Sequence, residues 1–194
     1  MSVPARFLLV HGWEGSGPDH WQSWLAIELA AAGSRVAYPG LPDPMEPSPA
    51  AWGHALHAEL AQLATEEGER VVVCHSLGAA LWLREAEHVP SSQRPDRVVL
   101  VALPSERGVP ALLHSFFGPE PVSADVRAAA GSTRIVASDE DPYCPEGTRA
   151  RWAQRLDLPL DVLPGAGHVN PDSGYGPWPA MLEWCLGARS DLAP

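Results

Sequence analysis

The chain has 194 residues, a length that predicts a single domain over residues 1–194 with room for a substantial core. With 13 basic and 24 acidic residues its formal net charge is −11, which argues against nucleic acid and membrane surfaces as partners, because both repel an acidic protein. No segment approaches the roughly 18–20 apolar residues that cross a bilayer. The apolar run near the N-terminus has four residues, too few for a signal peptide.

Short β-type runs alternate with helical patterns along the chain. In chain order, the predicted strands are Arg6–Val10, Arg35–Tyr38, Arg70–Cys74, Arg97–Ala102, Thr133–Ser138 and Leu160–Leu163. The predicted helices are Asp19–Ala32, Ala50–Glu67, Leu77–His88, Glu146–Leu156 and Trp178–Leu186. The third strand is apolar on both faces, which is typical of a strand covered by helices on each side. We therefore predict an α/β three-layer sandwich, with a six-stranded parallel sheet and helices on both faces.

The first helix carries its own start signal. Asp19 is a candidate N-cap, and Gln22 follows three residues later as in a capping box. Apolar residues then recur at three- and four-residue spacing, which predicts one buried face. They are Trp21, Trp24, Leu25, Leu29 and Ala32.

Two long segments follow strand ends, where open α/β sheets bind ligands. Residues 39–49 carry five prolines, and residues 103–131 are weakly periodic. Loops of this length are usually functional or mobile. Phe116 and Phe117 in the second segment are candidate walls of a substrate pocket, with a local hydrophobic cluster as the alternative.

Residues 70–78 read RVVVCHSLG, a strand, a serine among small residues and the start of a helix. This is the nucleophile-elbow pattern, in which a sharp reversal lifts the serine hydroxyl above the sheet. Gly78 satisfies the need for a small residue two positions after Ser76, whereas Cys74 stands where glycine is usual. We predict that Ser76 is a nucleophile; a serine in an ordinary strand-to-helix turn is the alternative.

A serine needs a base and a group that orients the base. The fifth strand runs into SDEDPYCP and the sixth into PGAGHVN, so an acid and then a histidine follow Ser76 at the same sheet edge. We predict His168 as the base and Asp141, which begins an Asp-Pro turn, as its partner. Asp139 and Glu140 are the alternatives.

The end of the first strand supplies the remaining part. We expect the backbone N–H groups of Trp13 and Leu77 to form an oxyanion hole, aided at Leu77 by the N-terminus of its helix. The side chains of His11 and Trp13 would border the substrate pocket. His11 and His75 are expected to support the site rather than to carry protons.

Other residues give weaker signals. Cys74, Cys144 and Cys185 lack CxxC spacing, so we expect reduced thiols in a cytoplasmic protein and neither a metal nor a cofactor. An enzyme based on Cys74 or Cys144 is disfavoured because an apolar strand end raises the pKa of a thiol. The spacing of His54 and His57 fits a solvated helix face better than a metal site.

Four segments resemble one family: HGWEGSGPDHWQSW at 11–24, HSLG at 75–78, SDEDPYCP at 138–145 and GHVNPDSGYGPWP at 167–179. They are similar to the small serine hydrolases related to the retinoblastoma-binding serine hydrolase, in the α/β-hydrolase superfamily. The resemblance implies an α/β-hydrolase fold without a lid domain and a triad on Ser76, Asp141 and His168. Cys74 departs from the usual elbow.

These observations favour a metal-free serine hydrolase, a carboxylesterase that forms an acyl-enzyme with a small-molecule acyl substrate. One alternative is a non-catalytic protein-binding module on the same fold, because a fold does not guarantee chemistry. An acyltransferase or an amidase would use the same triad. The sequence does not separate these last two from the esterase.

Overall fold

The computed structural model describes residues 4–65, 67–145 and 148–192. Six parallel strands form one sheet in the order β2-β1-β3-β4-β5-β6. The strands are β1 (Arg6–Val10), β2 (Arg35–Ala37), β3 (Arg70–His75), β4 (Arg97–Val101), β5 (Ser132–Ser138) and β6 (Leu160–Leu163). The helices are α1 (Trp21–Ala31), α2 (Pro49–Leu63), α3 (Leu77–Glu85), α4 (Ser123–Ala128), α5 (Thr148–Leu156) and α6 (Pro179–Cys185).

Both faces of the sheet are covered by helices. Side chains of successive strand residues point to opposite faces. Leu8 and Val72 therefore pack with α2, α3, α4 and α5, whereas Phe7 and Val73 pack with α1 and α6. This confirms the predicted three-layer α/β sandwich and explains why the central residues of β3 are apolar on both faces. Within the described ranges, no helix is long and apolar enough to cross a membrane.

The predicted strands agree with the structure to within one residue at each end, and β1 and β6 agree at both ends. Four helices are shorter than predicted: α1 spans only Trp21–Ala31, α2 ends at Leu63, α3 gives way to a 3-10 turn at Ala86–His88, and α6 ends at Cys185. Residues 146 and 147, at the predicted start of α5, lie outside the described residues.

Residues 103–131 contain structure that the sequence did not predict. A 3-10 helix spans Ala111–Phe116, and α4 follows at Ser123–Ala128. Both elements have six residues, so neither is long enough to show a clear helical period.

The prediction of a capping box at α1 is wrong. His20 is the N-cap, and its ring Nδ1 accepts the N–H of Gln22 at 3.1 Å. The Gln22 side chain is fully buried, and its amide donates to the carbonyls of Val10 (3.1 Å) and Val73 (3.3 Å). Gln22 thus ties the carboxyl ends of β1 and β3 together instead of capping a helix.

Three buried histidines hold the loops at this sheet edge. His11 accepts the N–H of Leu41 at Nε2 (2.9 Å), and His75 Nε2 donates to the carbonyl of His168 (3.0 Å). Burial lowers the pKa of His11, lowers that of His75 well below its ordinary value, and lowers that of His20 to about 4. All three rings are therefore neutral near pH 7.

We expect Gln22→Ala to lower the free energy of unfolding by about 1–3 kcal/mol, because two buried carbonyls lose their donor. Urea unfolding measures this change. Gln154→Ala is the matched control: Gln154 is exposed on α5, so its loss should change stability by less than about 0.5 kcal/mol. Equal effects of the two substitutions would contradict the bridging role of Gln22.

We also expect the free energy of unfolding to fall as the pH drops from about 7 to about 5. The unfolded chain protonates its histidines below their ordinary pKa of 6.5, whereas burial lowers the pKa of His11, His20 and His75 in the folded protein, so these rings take up protons only at lower pH. Each can therefore cost up to about 1.4 kcal/mol per pH unit in this window. Urea titrations at several pH values test this expectation. A flat profile would refute the expectation.

Candidate active site

Ser76 lies in a strained turn between β3 and α3. Its backbone has φ 52° and ψ −120°, a conformation that non-glycine residues rarely adopt and that is frequent at functional sites. Its N–H donates to the carbonyl of Val101 (2.9 Å), which fixes the turn to the neighbouring strand. A Cβ at Gly78 would lie 2.6 Å from the carbonyl oxygen of His11, so this position needs glycine. Cys74 fits within the sheet, fully buried between Val10 and Leu100.

The side chains of Ser76, His168 and Asp141 form a continuous hydrogen-bonded chain. His168 Nε2 lies 2.8 Å from Ser76 Oγ, and its Nδ1 lies 2.9 Å from both carboxylate oxygens of Asp141. The carboxylate accepts a hydrogen bond from Nδ1–H, which keeps the ring proton on Nδ1 and leaves Nε2 as the acceptor for the serine hydroxyl. Asp141 is almost fully buried and also accepts the N–H of Tyr143 (2.9 Å). This is the geometry of a serine with its base and orienting acid.

The two alternative acids lie elsewhere. Asp139 is exposed and accepts the N–H of Gly165 (2.6 Å), and Glu140 is exposed as well. Of the three acids that follow β5, Asp141 is therefore the one that the structure brings to His168.

The loop that carries His168 is held from both sides. The indole N–H of Trp21 donates to the carbonyl of Val169 (2.8 Å), and His75 holds the carbonyl of His168. The hydroxyl of Ser173 accepts the N–H of His168 (3.1 Å). Sequence patterns assigned Trp21 to the core, which its burial confirms, but gave no sign of its hydrogen bond or of the part played by Ser173.

Trp13 and Leu77, the two residues whose backbone N–H groups are expected to form the oxyanion hole, both line the cavity at Ser76. Neither N–H has a hydrogen-bond partner among the residues that the structure describes, and Leu77 opens α3, where helix N–H groups are unpaired. A Cβ at Gly12 would lie 2.8 Å from Ser76 Cβ, so glycine permits the close approach of this loop. Trp13 Nε1 donates to the carbonyl of Met45 (3.2 Å).

The cavity at Ser76 has a volume of about 300 Å³. The glycine-rich loop after β1, the segment 104–113, Tyr143 and the loop 168–172 enclose it. Its lining includes the exposed acidic residues Glu14 and Asp172 but, among the described residues, no arginine.

Three of the four predicted pocket walls lie elsewhere. Trp13 lines the cavity, but the ring of His11 is buried against Leu41 and Trp52. Phe116 packs edge-on against Trp52 at 5.3 Å, and with Phe117 it lines a separate cavity of about 450 Å³ beside α3 and α4. The 3-10 helix that ends at Phe116 explains this difference, because it directs Leu113 rather than the phenylalanines to the Ser76 cavity.

The weaker candidates show no catalytic arrangement. Burial raises the pKa of the Cys74 thiol, which lies beneath the elbow and outside the cavity lining. Cys144 is buried. His57 pairs with Glu85 (3.0 Å), and His54 is exposed. Across the described ranges, no group of three or more side chains is arranged to hold a metal ion.

The YdeN protein of Bacillus subtilis (strain 168) is similar over 180 residues, with 26% identity covering 90% of this chain and 91% of that protein. Its crystal structure superposes with a TM-score of 0.82 at 23% identity, over 95% of this chain and 98% of that one. A YdeN-like protein of Pectobacterium atrosepticum gives a TM-score of 0.71 at 24% identity, over 98% and 94% of the two chains.

A third solved structure comes from work on LipS and LipT, two metagenome-derived lipolytic enzymes. It gives a TM-score of 0.71 at 17% identity, over 96% of this chain and 94% of that one. These likenesses show an α/β-hydrolase-like fold. The family model described as serine hydrolase matches residues 7–185, and the chain therefore belongs to the serine hydrolase family.

Proposed function

We propose that this chain is a carboxylesterase that cleaves small acyl esters through an acyl-enzyme on Ser76. The hydrogen-bonded chain from Ser76 through His168 to Asp141 is the observation that carries this proposal. In the first step, Ser76 Oγ attacks the ester carbonyl and its proton passes to His168 Nε2. Asp141 stabilises the imidazolium that results.

The N–H groups of Trp13 and Leu77 bind the oxyanion of the tetrahedral intermediate, a contribution of about 2.7–4 kcal/mol for a single donor in comparable sites. Collapse of the intermediate breaks the ester C–O bond, and His168 returns the proton to the departing alcohol. Water then adds to the acyl-enzyme, with His168 again taking the proton, and the acid is released as Ser76 regains its hydrogen.

A small ester is favoured over a large one by the size of the cavity, which at about 300 Å³ is at the lower end for ligand sites. The lipolytic enzyme among the structural neighbours supports ester chemistry on this fold.

The acidic surface supports a small-molecule partner rather than nucleic acid or an anionic membrane. A cytoplasmic location stays a prediction from the cysteine pattern.

We expect a fluorophosphonate probe to label wild-type protein on Ser76, because the His168 base activates that hydroxyl. Peptide mass spectrometry locates the adduct. Ser76→Ala should take up no probe and lose hydrolysis of p-nitrophenyl acetate by several orders of magnitude while keeping its circular dichroism spectrum.

Ser115→Ala is the matched control for this labelling. Ser115 is an exposed serine on the 3-10 helix, so its loss should leave labelling unchanged. A folded wild-type protein without an adduct on Ser76 would contradict the esterase proposal and favour the protein-binding module.

A second pair of variants tests the choice of acid. Asp141→Asn should lower kcat/KM on the order of 10³–10⁴-fold, because the amide disfavours the tautomer in which His168 accepts the serine proton. Asp139→Asn should change kcat/KM by less than about threefold, since its amide oxygen still accepts the N–H of Gly165. Steady-state hydrolysis measures both, and comparable losses in the two variants would refute the assignment of Asp141.

A further inference from the structure

His20 is a buried polar side chain that the proposed reaction does not use. Its ring is 5% exposed and lines the cavity at Ser76. The ring centroid lies 4.8 Å from that of His75 and 5.4 Å from that of Trp21, so neighbours on two elements fix its position. His75 in turn packs against His168, with 5.2 Å between their ring centroids.

The two nitrogens of His20 have different surroundings. Nδ1 accepts the N–H of Gln22 as the cap of α1. Nε2 has no hydrogen-bond partner within residues 4–65, 67–145 and 148–192, and it is not among the buried polar atoms that are shielded from water. Because the residue lines the cavity, this nitrogen has access to it.

The cap determines where the proton of the ring lies. A nitrogen that accepts a backbone N–H carries no proton, so in the neutral ring the proton is on Nε2. Burial keeps the ring neutral, with a pKa of about 4. His20 therefore offers the cavity one N–H donor, which is fixed in place and uncharged.

A donor of this kind is most useful if a ligand supplies its acceptor. A substrate that fills the cavity displaces water from this donor, and a donor that is then left without a partner costs free energy. A substrate that pairs the donor therefore gains over one that does not. The exposed acidic residues Glu14 and Asp172 also line the cavity, and no arginine lines its described part to offset their negative charge. A substrate with a carboxylate of its own would be repelled, which leaves an uncharged oxygen as the matching group.

We propose that His20 is a specificity residue whose Nε2–H donates a hydrogen bond to an uncharged oxygen of the substrate, such as an ether, hydroxyl or carbonyl oxygen outside the reacting ester group. This inference rests on the proposed esterase function. It predicts that the protein prefers esters with such an oxygen over alkyl esters of the same shape.

Two substitutions separate the donor from the cap. In His20→Asn, the amide oxygen takes the place of Nδ1 as N-cap, and the donor at Nε2 is lost. In His20→Gln, the longer side chain places an amide N–H near the position of Nε2, but glutamine is a poor cap. His20→Asn should therefore keep the thermal stability but lose the preference for ether esters. His20→Gln should keep that preference but lose thermal stability.

Two pairs of substrates report the recognition. On the acyl side, p-nitrophenyl methoxyacetate is compared with p-nitrophenyl butanoate; on the alcohol side, 2-methoxyethyl acetate is compared with butyl acetate. In each pair an ether oxygen replaces one methylene group. The readout is the kcat/KM of the ether ester divided by that of its alkyl partner. Comparing this ratio between variant and wild type cancels the intrinsic reactivity of the two esters.

We expect His20→Asn to lower this ratio about three- to tenfold in one of the two pairs, the range of a single uncharged hydrogen bond. His20→Gln should keep the ratio within about twofold of wild type despite a lower Tm. The pair that responds identifies the side of the ester that His20 contacts.

An unchanged ratio in both pairs for His20→Asn would overturn the proposal. An equal loss of activity on ether and alkyl esters gives this result, and it is what a purely structural role predicts. Labelling of Ser76 by the fluorophosphonate is measured in parallel on the wild type. If that labelling is absent, the esterase proposal fails; if it is present and the ratios do not move, only the role of His20 fails.

Discussion

The close approach of β1 and β3 at their carboxyl ends is the constraint on which the rest of the site depends. Ser76 can adopt its strained backbone only if the chain after it passes directly over the end of β1, and the absence of a side chain at Gly12 and Gly78 permits this contact. The buried amide of Gln22 then bonds to a carbonyl of each strand. One contact between two strand ends thus sets the position of the proposed nucleophile and of the loop that would bind the oxyanion.

The segment 20–22 connects the ends of β1 and β3 to the loop that carries His168, which lies nearly 150 residues later in the chain. Its three consecutive side chains contact different parts of the site. His20 caps α1 and lines the cavity, Trp21 holds the loop of His168 through Val169, and Gln22 joins the strand ends. The distance along the sequence between Trp21 and Val169 is 148 residues. This contact explains in physical terms why two distant motifs of the chain belong to one site.

Sequence patterns were sufficient for the strands and for the edge of the sheet at which the site forms. Apolar β-type runs set the strands, and the residues that follow β3, β5 and β6 meet because the carboxyl ends of parallel strands share an edge. The start of α1 was not predictable, because Asp19 and His20 can both cap a helix and packing decides between them. The direction of Phe116 depends on a short 3-10 helix, whose six residues carry too little periodicity to be recognised.

Four histidines lie close together at this edge, and their surroundings give each a different role. His11 and His75 are buried and bonded to backbone groups, and His20 is buried with one nitrogen used as a cap, so all three are held neutral. His168 alone among these four donates to a carboxylate, which fixes its proton on Nδ1 and turns Nε2 toward the hydroxyl of Ser76. A carboxylate beside one imidazole and burial around the other three thus distinguish the proposed base from its neighbours. Burial also gives the three neutral rings constant donor and acceptor atoms. A ring that does not change its charge keeps its proton on the same nitrogen.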